Sequence, residues 1–432
     1  MRSELRAGVA RVGITPPIGI PMAGYGSRDR PSEGILGPLS VYAVALEQEG
    51  VGCGIVVGDV IGFPAQMTAQ IRQRTGRLCG LAPEGVLVCA THTHWGPETR
   101  SENVPEALAG TVCEEYWVVL GQLATSALVQ AWATREPAVA LCGVGEADLL
   151  SFNRRPVGPD GRTAMRYTLP LGQALAASSE GARLAVTWAP GGGPGRRLSE
   201  PLDELDGLRA GVSDPSVAVL KLIRPDGSPL AALFCFACHA VCGAGNDAFY
   251  LYSPDYPGDA RRVAEAVLGC PAIFLPGCCG DQVPLRREAD SRRRIGQSLG
   301  AEVVRVWELL EGESIGPLRV GRRTVSLPSA EGGGAAEAPA KQVELWAMAL
   351  GSSWGLVALP GEVLVEIGLQ IRQRSPFGTT AVVELGLDDP GYVPTEAAIE
   401  EGGYEPSASP FGRGAEAALV EGGRSALDSV AR

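Results

Sequence analysis

The 432-residue chain is poor in lysine, histidine and aromatic residues. Only two lysines occur, Lys221 and Lys341, so arginine supplies nearly all the positive charge. The formal net charge is -12 and no basic stripe stands out. This argues against a nucleic-acid protein and disfavours polyanionic partners. No run of about 18 apolar residues is present, so no integral membrane segment is expected. The opening Met-Arg-Ser-Glu-Leu-Arg lacks the apolar core of a signal peptide. The cysteines number 11, an odd count spread from Cys53 to Cys279, unlike the framework of a small secreted disulfide protein. The expectation is a cytoplasmic protein with reduced, mostly buried thiols. What remains is ordinary globular composition, 45% hydrophobic and 20% charged, which excludes a disordered or fibrous chain.

Patterning predicts a mixed α/β fold, with a large mixed β-sheet core flanked by helices. Residues 7–13 and 39–48 read as strands. The near-continuous apolar runs 52–63 and 85–94 read as strands covered on both faces. Helices are expected over 65–76, 113–134, 257–268 and 289–310, with a last one from about 413. Residues 217–240 read as a hairpin-like pair. Leu359-Pro360-Gly361-Glu362 is expected to place its carboxylate in the first turn of a helix. The chain reads as a single catalytic domain over 1–432, in which 155–212 forms a long excursion or lid. Residues 329–340 read as a flexible loop. The buried strands carry polar residues at their C-terminal ends, where ligands bind in open α/β sheets.

Three histidines are available for imidazole chemistry: His92, His94 and His239. His92 and His94 lie two apart in Thr91-His92-Thr93-His94-Trp95-Gly96-Pro97. On a strand that spacing points both rings to one face, where they can address one site. Cys235-Phe236-Ala237-Cys238-His239 spells a c-type haem attachment pattern. It also offers Cys235, Cys238 and Cys242 as thiolate zinc ligands. We read the cysteines as small core residues, which leaves His239 as the functional group. Asp59 and Gly280-Asp281 each follow a buried strand. Two histidine sites and a carboxylate suit a catalytic zinc, which takes N/O ligands and keeps a position for water.

The ordered series AGVARVGITPP, MAGYGSR, ATHTHWGP, FNRR, FACHA, SPDYPG, GCCGDQVP, LPGE, GYVPT and GGYEP resembles the neutral ceramidase family of zinc amidases. The resemblance runs over nearly the whole chain and implies a mixed α/β catalytic domain around one Zn2+. It implies His92, His239, Glu362 and Tyr392 as the zinc ligands. It implies that His94 bonds the scissile carbonyl or its oxyanion, and that Arg154 and Tyr404 bind substrate or stabilise the transition state. Asp281 would orient the site. Three departures accompany it. Val283 stands where the family has serine or asparagine, so no serine nucleophile is available. Trp95 replaces a small residue after the histidine pair and is expected to narrow the pocket. The immunoglobulin-like C-terminal domain and the export signal of ceramidases do not appear in this sequence.

The expected function is therefore a zinc-dependent hydrolase that cleaves an amide of a small-molecule substrate other than ceramide through a metal-activated water. An esterase or amide-forming enzyme with the same site is the alternative. A non-catalytic metal-binding homologue is the third. Sequence leaves the oligomeric state open.

Overall fold

The structure is a computed structural model. It describes residues 4–104, 113–167, 175–178, 181–186, 197–198, 208–243, 248–287, 290–330 and 339–431. Nearly half of the 155–212 excursion therefore lies outside the described residues, as does 331–338 of the expected loop.

Three sheets meet around one apolar centre. The first runs, in spatial order, Val86–Ala90, Val51–Gly58, Ser40–Gln48, Arg6–Gly13 and Glu136–Pro137. The second runs Ala272–Pro276, Pro229–Phe236, Ser216–Ile223 and Val139–Glu146. The third runs Leu318–Leu327, Lys341–Leu350, Trp354–Ala358 and Thr379–Val383. Alternation along each strand sorts the side chains. In Ser40–Gln48, Tyr42, Val44 and Leu46 point to the common centre, while Val41, Ala43 and Ala45 point outward to helices. The centre also takes Leu220 and Leu233 from the second sheet, and Met348 and Leu356 from the third.

Each outer face is covered by helices. Two of these, α1 (Ala65–Cys79) and α2 (Cys113–Ala133), pack on the first sheet. The second is covered by α3 (Asp255–Leu268) and α4 (Ser291–Leu309). On the third lies α5 (Val365–Gln373), followed by the short α6 (Glu396–Glu401) and α7 (Tyr404–Ser407) and then by α8 (Ala415–Ala431), which packs beside α5. No helix among the described residues is long and apolar enough to cross a membrane.

Each of these three sheets contains one parallel pair: Val51–Gly58 with Val86–Ala90, Pro229–Phe236 with Ala272–Pro276, and Trp354–Ala358 with Thr379–Val383. The loops after these six strands lie side by side. Bridges such as Thr93 to Ala240, Cys89 to Gly386 and Gly277 to Val383 tie them across the three sheets. This is where the polar residues of the apolar runs gather.

Several elements differ from expectation. The strands predicted over 52–63 and 85–94 end at Gly58 and Ala90, because Asp59 and Thr91 turn the chain out into polar loops. Glu362 is not in a helix. It begins a two-residue strand, Glu362–Val363, paired in parallel with Tyr392–Val393, and α5 starts three residues later. The long hairpin Leu318–Leu327 with Lys341–Leu350 had no sequence counterpart. Its first strand has half-exposed and exposed residues along most of its length, so no buried run announces it.

Candidate metal centre

His92 follows the strand Val86–Ala90 in a left-handed backbone conformation, φ 61°. That region is uncommon for a residue with a side chain and marks a functional loop more often than a core. The ring is anchored behind: Nδ1 lies 2.8 Å from the Ile61 carbonyl oxygen. His94 is anchored in the same way, with Nδ1 3.0 Å from the Gly24 oxygen. Gly24 has φ 94° and sits against the His94 ring, where a Cβ would collide with the imidazole. His239 comes from the loop after Pro229–Phe236, and its Nδ1 makes a short bond to the Cys279 oxygen.

A carbonyl oxygen can only accept, so each Nδ1 carries the proton and each Nε2 presents a lone pair. The three Nε2 atoms and the Glu362 carboxylate converge. His92 Nε2 is 3.4 Å from His94 Nε2 and 3.4 Å from Glu362 Oε2. His239 Nε2 is 3.2 Å from the same carboxylate oxygen. Tetrahedral coordination with bonds of roughly 2.0–2.1 Å requires ligand atoms about 3.3 Å apart. Four acceptors at that spacing repel one another unless a cation or a proton lies between them. The donor set thus fits a metal ion, and His92, His94 and His239 are together close enough to hold one.

Without a cation, the proton settles on His92. Burial pulls its pKa down, but the Glu362 carboxylate more than offsets this and raises it to about 9. Burial, with His92 as neighbour, holds His94 well below the usual value, and burial lowers His239 to about 4. Burial pushes Glu362 up, yet His92 and His239 keep it well below the carboxylate range.

The register Glu362 to Tyr392 places the tyrosine oxygen beside the carboxylate. Burial and then Glu362 keep the Tyr392 phenol well above its ordinary pKa, so it is neutral in the metal-free site. Arg154 lies behind it. Its Nη2 donates to Tyr392 Oη (3.1 Å) and to the Gly280 oxygen (2.8 Å), and its Nε donates to Glu405 Oε1 (2.6 Å). Tyr404, at the start of α7, is 47% exposed and its ring centroid is 5.5 Å from that of Tyr392. Asp281 is buried away from the imidazoles. It accepts from Asn153 Nδ2 (2.8 Å), Gln282 Nε2 (3.2 Å) and the Val365 amide (3.0 Å), so it caps the entry to α5.

A cavity of about 510 Å³ opens over this centre, walled by His94, Glu362, Tyr392, Tyr404, Tyr25 and Asp389 among others. Arg154 and Asp281 are not part of its described wall. Neither is Trp95, contrary to expectation. Its indole N–H donates to the Ala248 oxygen (3.2 Å), and its ring packs into the core beside Tyr25, which stands between it and His94. Val283 is likewise a core residue, paired with Phe152 and absent from that wall. Cys235 and Cys238 enter separate apolar clusters, one at the common centre and one under α3 and α4.

Sequence reasoning missed two buried carboxylates that hold the site together. Glu384 Oε2 accepts from the amides of Cys279 (2.9 Å) and Val363 (2.8 Å), clamping the loop behind His239 to the strand of Glu362. At that junction Gly280 passes so close to the Glu362 oxygen that a Cβ would lie 2.9 Å from it. Glu405 joins Arg154 to Arg155. A charge inside the apolar run AVVELGL was the available signal for Glu384. Asp59, noted only as a strand end, accepts from Thr91 Oγ1 (3.2 Å) and Arg261 Nη2 (2.8 Å) under the histidine loop.

No family model and no curated protein matches the sequence. Solved structures do. One is neutral ceramidase from Pseudomonas aeruginosa, with a TM-score of 0.77 at 17% identity over 100% of this chain and 75% of that one. The chain has the neutral ceramidase fold. A ceramidase complexed with C2 aligns equally well, with a TM-score of 0.77 at 17% identity, over 99% of this chain and 76% of that one. Within this ceramidase fold, His94 and Glu362 bring the cluster of three histidines and a carboxylate to the wall of the cavity.

Proposed function

We propose that this chain is a zinc-dependent hydrolase of an amide bond in a small-molecule substrate. One observation carries the reading. Three imidazoles, each turned by a backbone carbonyl so that Nε2 is free, meet a carboxylate, and His94 and Glu362 of this cluster line a small-molecule-sized cavity. In this reading His92, His239 and Glu362 hold the ion, with the Tyr392 oxygen beside them as the fourth protein ligand. Bound there, zinc would polarise the carbonyl and lower the pKa of a water to near 7.

The chain's own residues do the rest. The pinned Nδ1 atoms keep the donors preorganised, so little is lost in ordering them at each turnover. His94 faces the same point from the cavity wall; its Nε2 lone pair can take a proton from the attacking water, and the protonated ring can then donate to the oxygen of the substrate carbonyl. Tyr404 offers a phenol from the opposite, solvent-exposed side. Arg154 acts through Tyr392, whose oxygen it holds, rather than on substrate. Asp281 and Glu384 orient the loops. The described start of the excursion supports a lid role for 155–212, because Thr163 and Arg155 are tied to Glu401 and Glu405 next to Tyr404. An odd count of 11 cysteines, most of them buried, supports a reducing, cytoplasmic setting.

The test is metal content with substrate choice. Protein purified without added metal should carry about one zinc per chain, and removal by chelator should abolish amide cleavage. Full activity in a fully folded, metal-free preparation would sink the reading. Turnover of esters but not of matched amides would favour the esterase alternative.

A further inference from the structure

Four arginines in the described structure are no more than 4% exposed: Arg28, Arg154, Arg155 and Arg261. Three of them face a carboxylate. Arg154 and Arg155 share Glu405, and Arg261 bonds both oxygens of Asp59. Arg28 does not. Its Nε donates to the Phe249 carbonyl oxygen (3.0 Å) and its Nη1 to that of Ala23, both neutral acceptors. Its Nη2 has no hydrogen-bond partner. Around it stand aromatic rings, with Cζ 5.0 Å from the centroid of Tyr25, 5.7 Å from Trp95 and 4.6 Å from Phe249. Ring faces attract a cation but do not neutralise it. A buried charge without a counter-charge is costly, and such groups call for an explanation.

The position supplies one. Arg28 and Tyr25 form part of the cavity wall, and the Tyr25 ring sits edge-on to His94 with centroids 5.3 Å apart. The half-buried Arg287 also acts on Tyr25, and its Nε is likewise without a partner. Across the cavity, by contrast, the Arg100 guanidinium is already held by Glu98 (3.2 Å) and Asp389 (2.7 Å). The described wall offers only short apolar pieces, Met22, Ile61, Pro390 and Ala408, and no continuous track for a hydrocarbon chain. The volume falls within the range of small-molecule sites, about 300–1,000 Å³.

Resting on the amide-hydrolase reading, we propose that the substrate is a compact amide bearing a carboxylate, received at the Arg28 side of the cavity. The reaction is a hydrolysis. The C–N bond breaks, a C–O bond forms from water, one water proton goes to the leaving nitrogen, and the new acid releases the other. No redox partner is required.

Three length-matched amides test this on the zinc-loaded protein. N-butanoyl-β-alanine carries the carboxylate on the amine side, N-propylsuccinamate carries it on the acyl side, and N-propylbutanamide is neutral. One of the two anions should exceed the neutral amide about tenfold or more in kcat/KM, as a charge-assisted contact implies. The advantage should fall to about twofold or less in Arg28→Met with zinc retained, and return in part in Arg28→Lys. Arg28→Lys also covers the case in which the apolar replacement does not fold, and in it the anion preference should shrink as salt is raised. Equal turnover of all three amides, or a preference that survives Arg28→Met, overturns the proposal. If none is cleaved although zinc is bound, the hydrolase reading has failed, and calorimetric titration of the same three compounds decides the anion site alone. Anion binding that Arg28→Met removes then upholds the site, and absence of anion binding overturns it.

Discussion

On the wall that carries His92, His239 and Glu362, each side chain or its strand has a second contact that fixes it. The Ile61 and Cys279 carbonyls hold the rings, and Glu384 holds the backbone beside Glu362. On the wall that carries Tyr25 and Arg28, the groups are half-buried or short of partners. The difference separates two physical tasks. An ion with bonds of fixed length rewards donors that cannot move. A ligand that enters and leaves needs groups whose bonding is completed only when it is present. If the comparison is right, changes on the first wall register in metal content and changes on the second register in substrate choice.

The largest effect should come from the ligand rings. His92→Ala or His239→Ala should lower zinc from about one per chain to near zero and reduce turnover to background. Elemental analysis beside the amide assay measures both. Next comes His94→Ala, which tests where the boundary between the walls runs. If His94 serves the substrate, zinc should remain and kcat should fall on the order of 10²–10³. If zinc is lost as fully as in His92→Ala, all three imidazoles are ligands and His94 belongs to the first wall.

Glu384→Ala probes the clamp without touching a ligand. It leaves two buried amides without an acceptor, so stability should drop by about 1–3 kcal/mol. Zinc affinity, read by competition with a chelator, should weaken about 10–100-fold. Glu384→Gln keeps one oxygen for the two N–H groups and should lose less on both counts. Unchanged affinity in the alanine variant would mean that the loops hold their register through Gly280 and the short strand pair alone.

Much of this was legible in the sequence, for physical reasons that can be named. The apolar runs ending in Asp59, Thr91 and His239 marked strands that finish at a polar edge, and the fold places those edges together. Burial and alternation are local properties, so composition and spacing carry them. What failed was whatever depends on direction. A carboxylate after Pro-Gly reads equally well as a helix start or as the short strand that pairs Glu362 with Tyr392. Trp95 follows the histidine pair in sequence, but a loop after a strand end has no period, and its indole turns into the core. FNRR carries two arginines, and nothing local says that Glu405 binds both and leaves Arg154 behind Tyr392.

The smallest effect concerns the proton that stands in for the ion on the rigid wall. In the metal-free protein His92 has a pKa of about 9 because of the Glu362 carboxylate, against about 6.5 in an unfolded chain. The folded state therefore binds this proton more tightly than the unfolded state does. The stabilisation it gives is complete below about pH 6.5 and is lost as pH rises through about 9. Glu362, held below the carboxylate range, contributes above its unfolded value and fades only in acid, outside this window. Chelator-treated protein should thus lose more stability between about pH 6.5 and 9 than zinc-loaded protein, in which the ion has replaced the proton; burial raises the Glu384 and Glu366 carboxyls to about 8, and they add the same slope to both forms. Urea unfolding of both forms at half-unit steps measures the difference. Zinc added to the chelated protein near pH 7.5 in weak buffer should release about one proton per chain. The same slope in both forms, with no proton released, would mean that His92 and Glu362 are not paired without metal. The first wall would then be as unfinished as the second until its ion arrives.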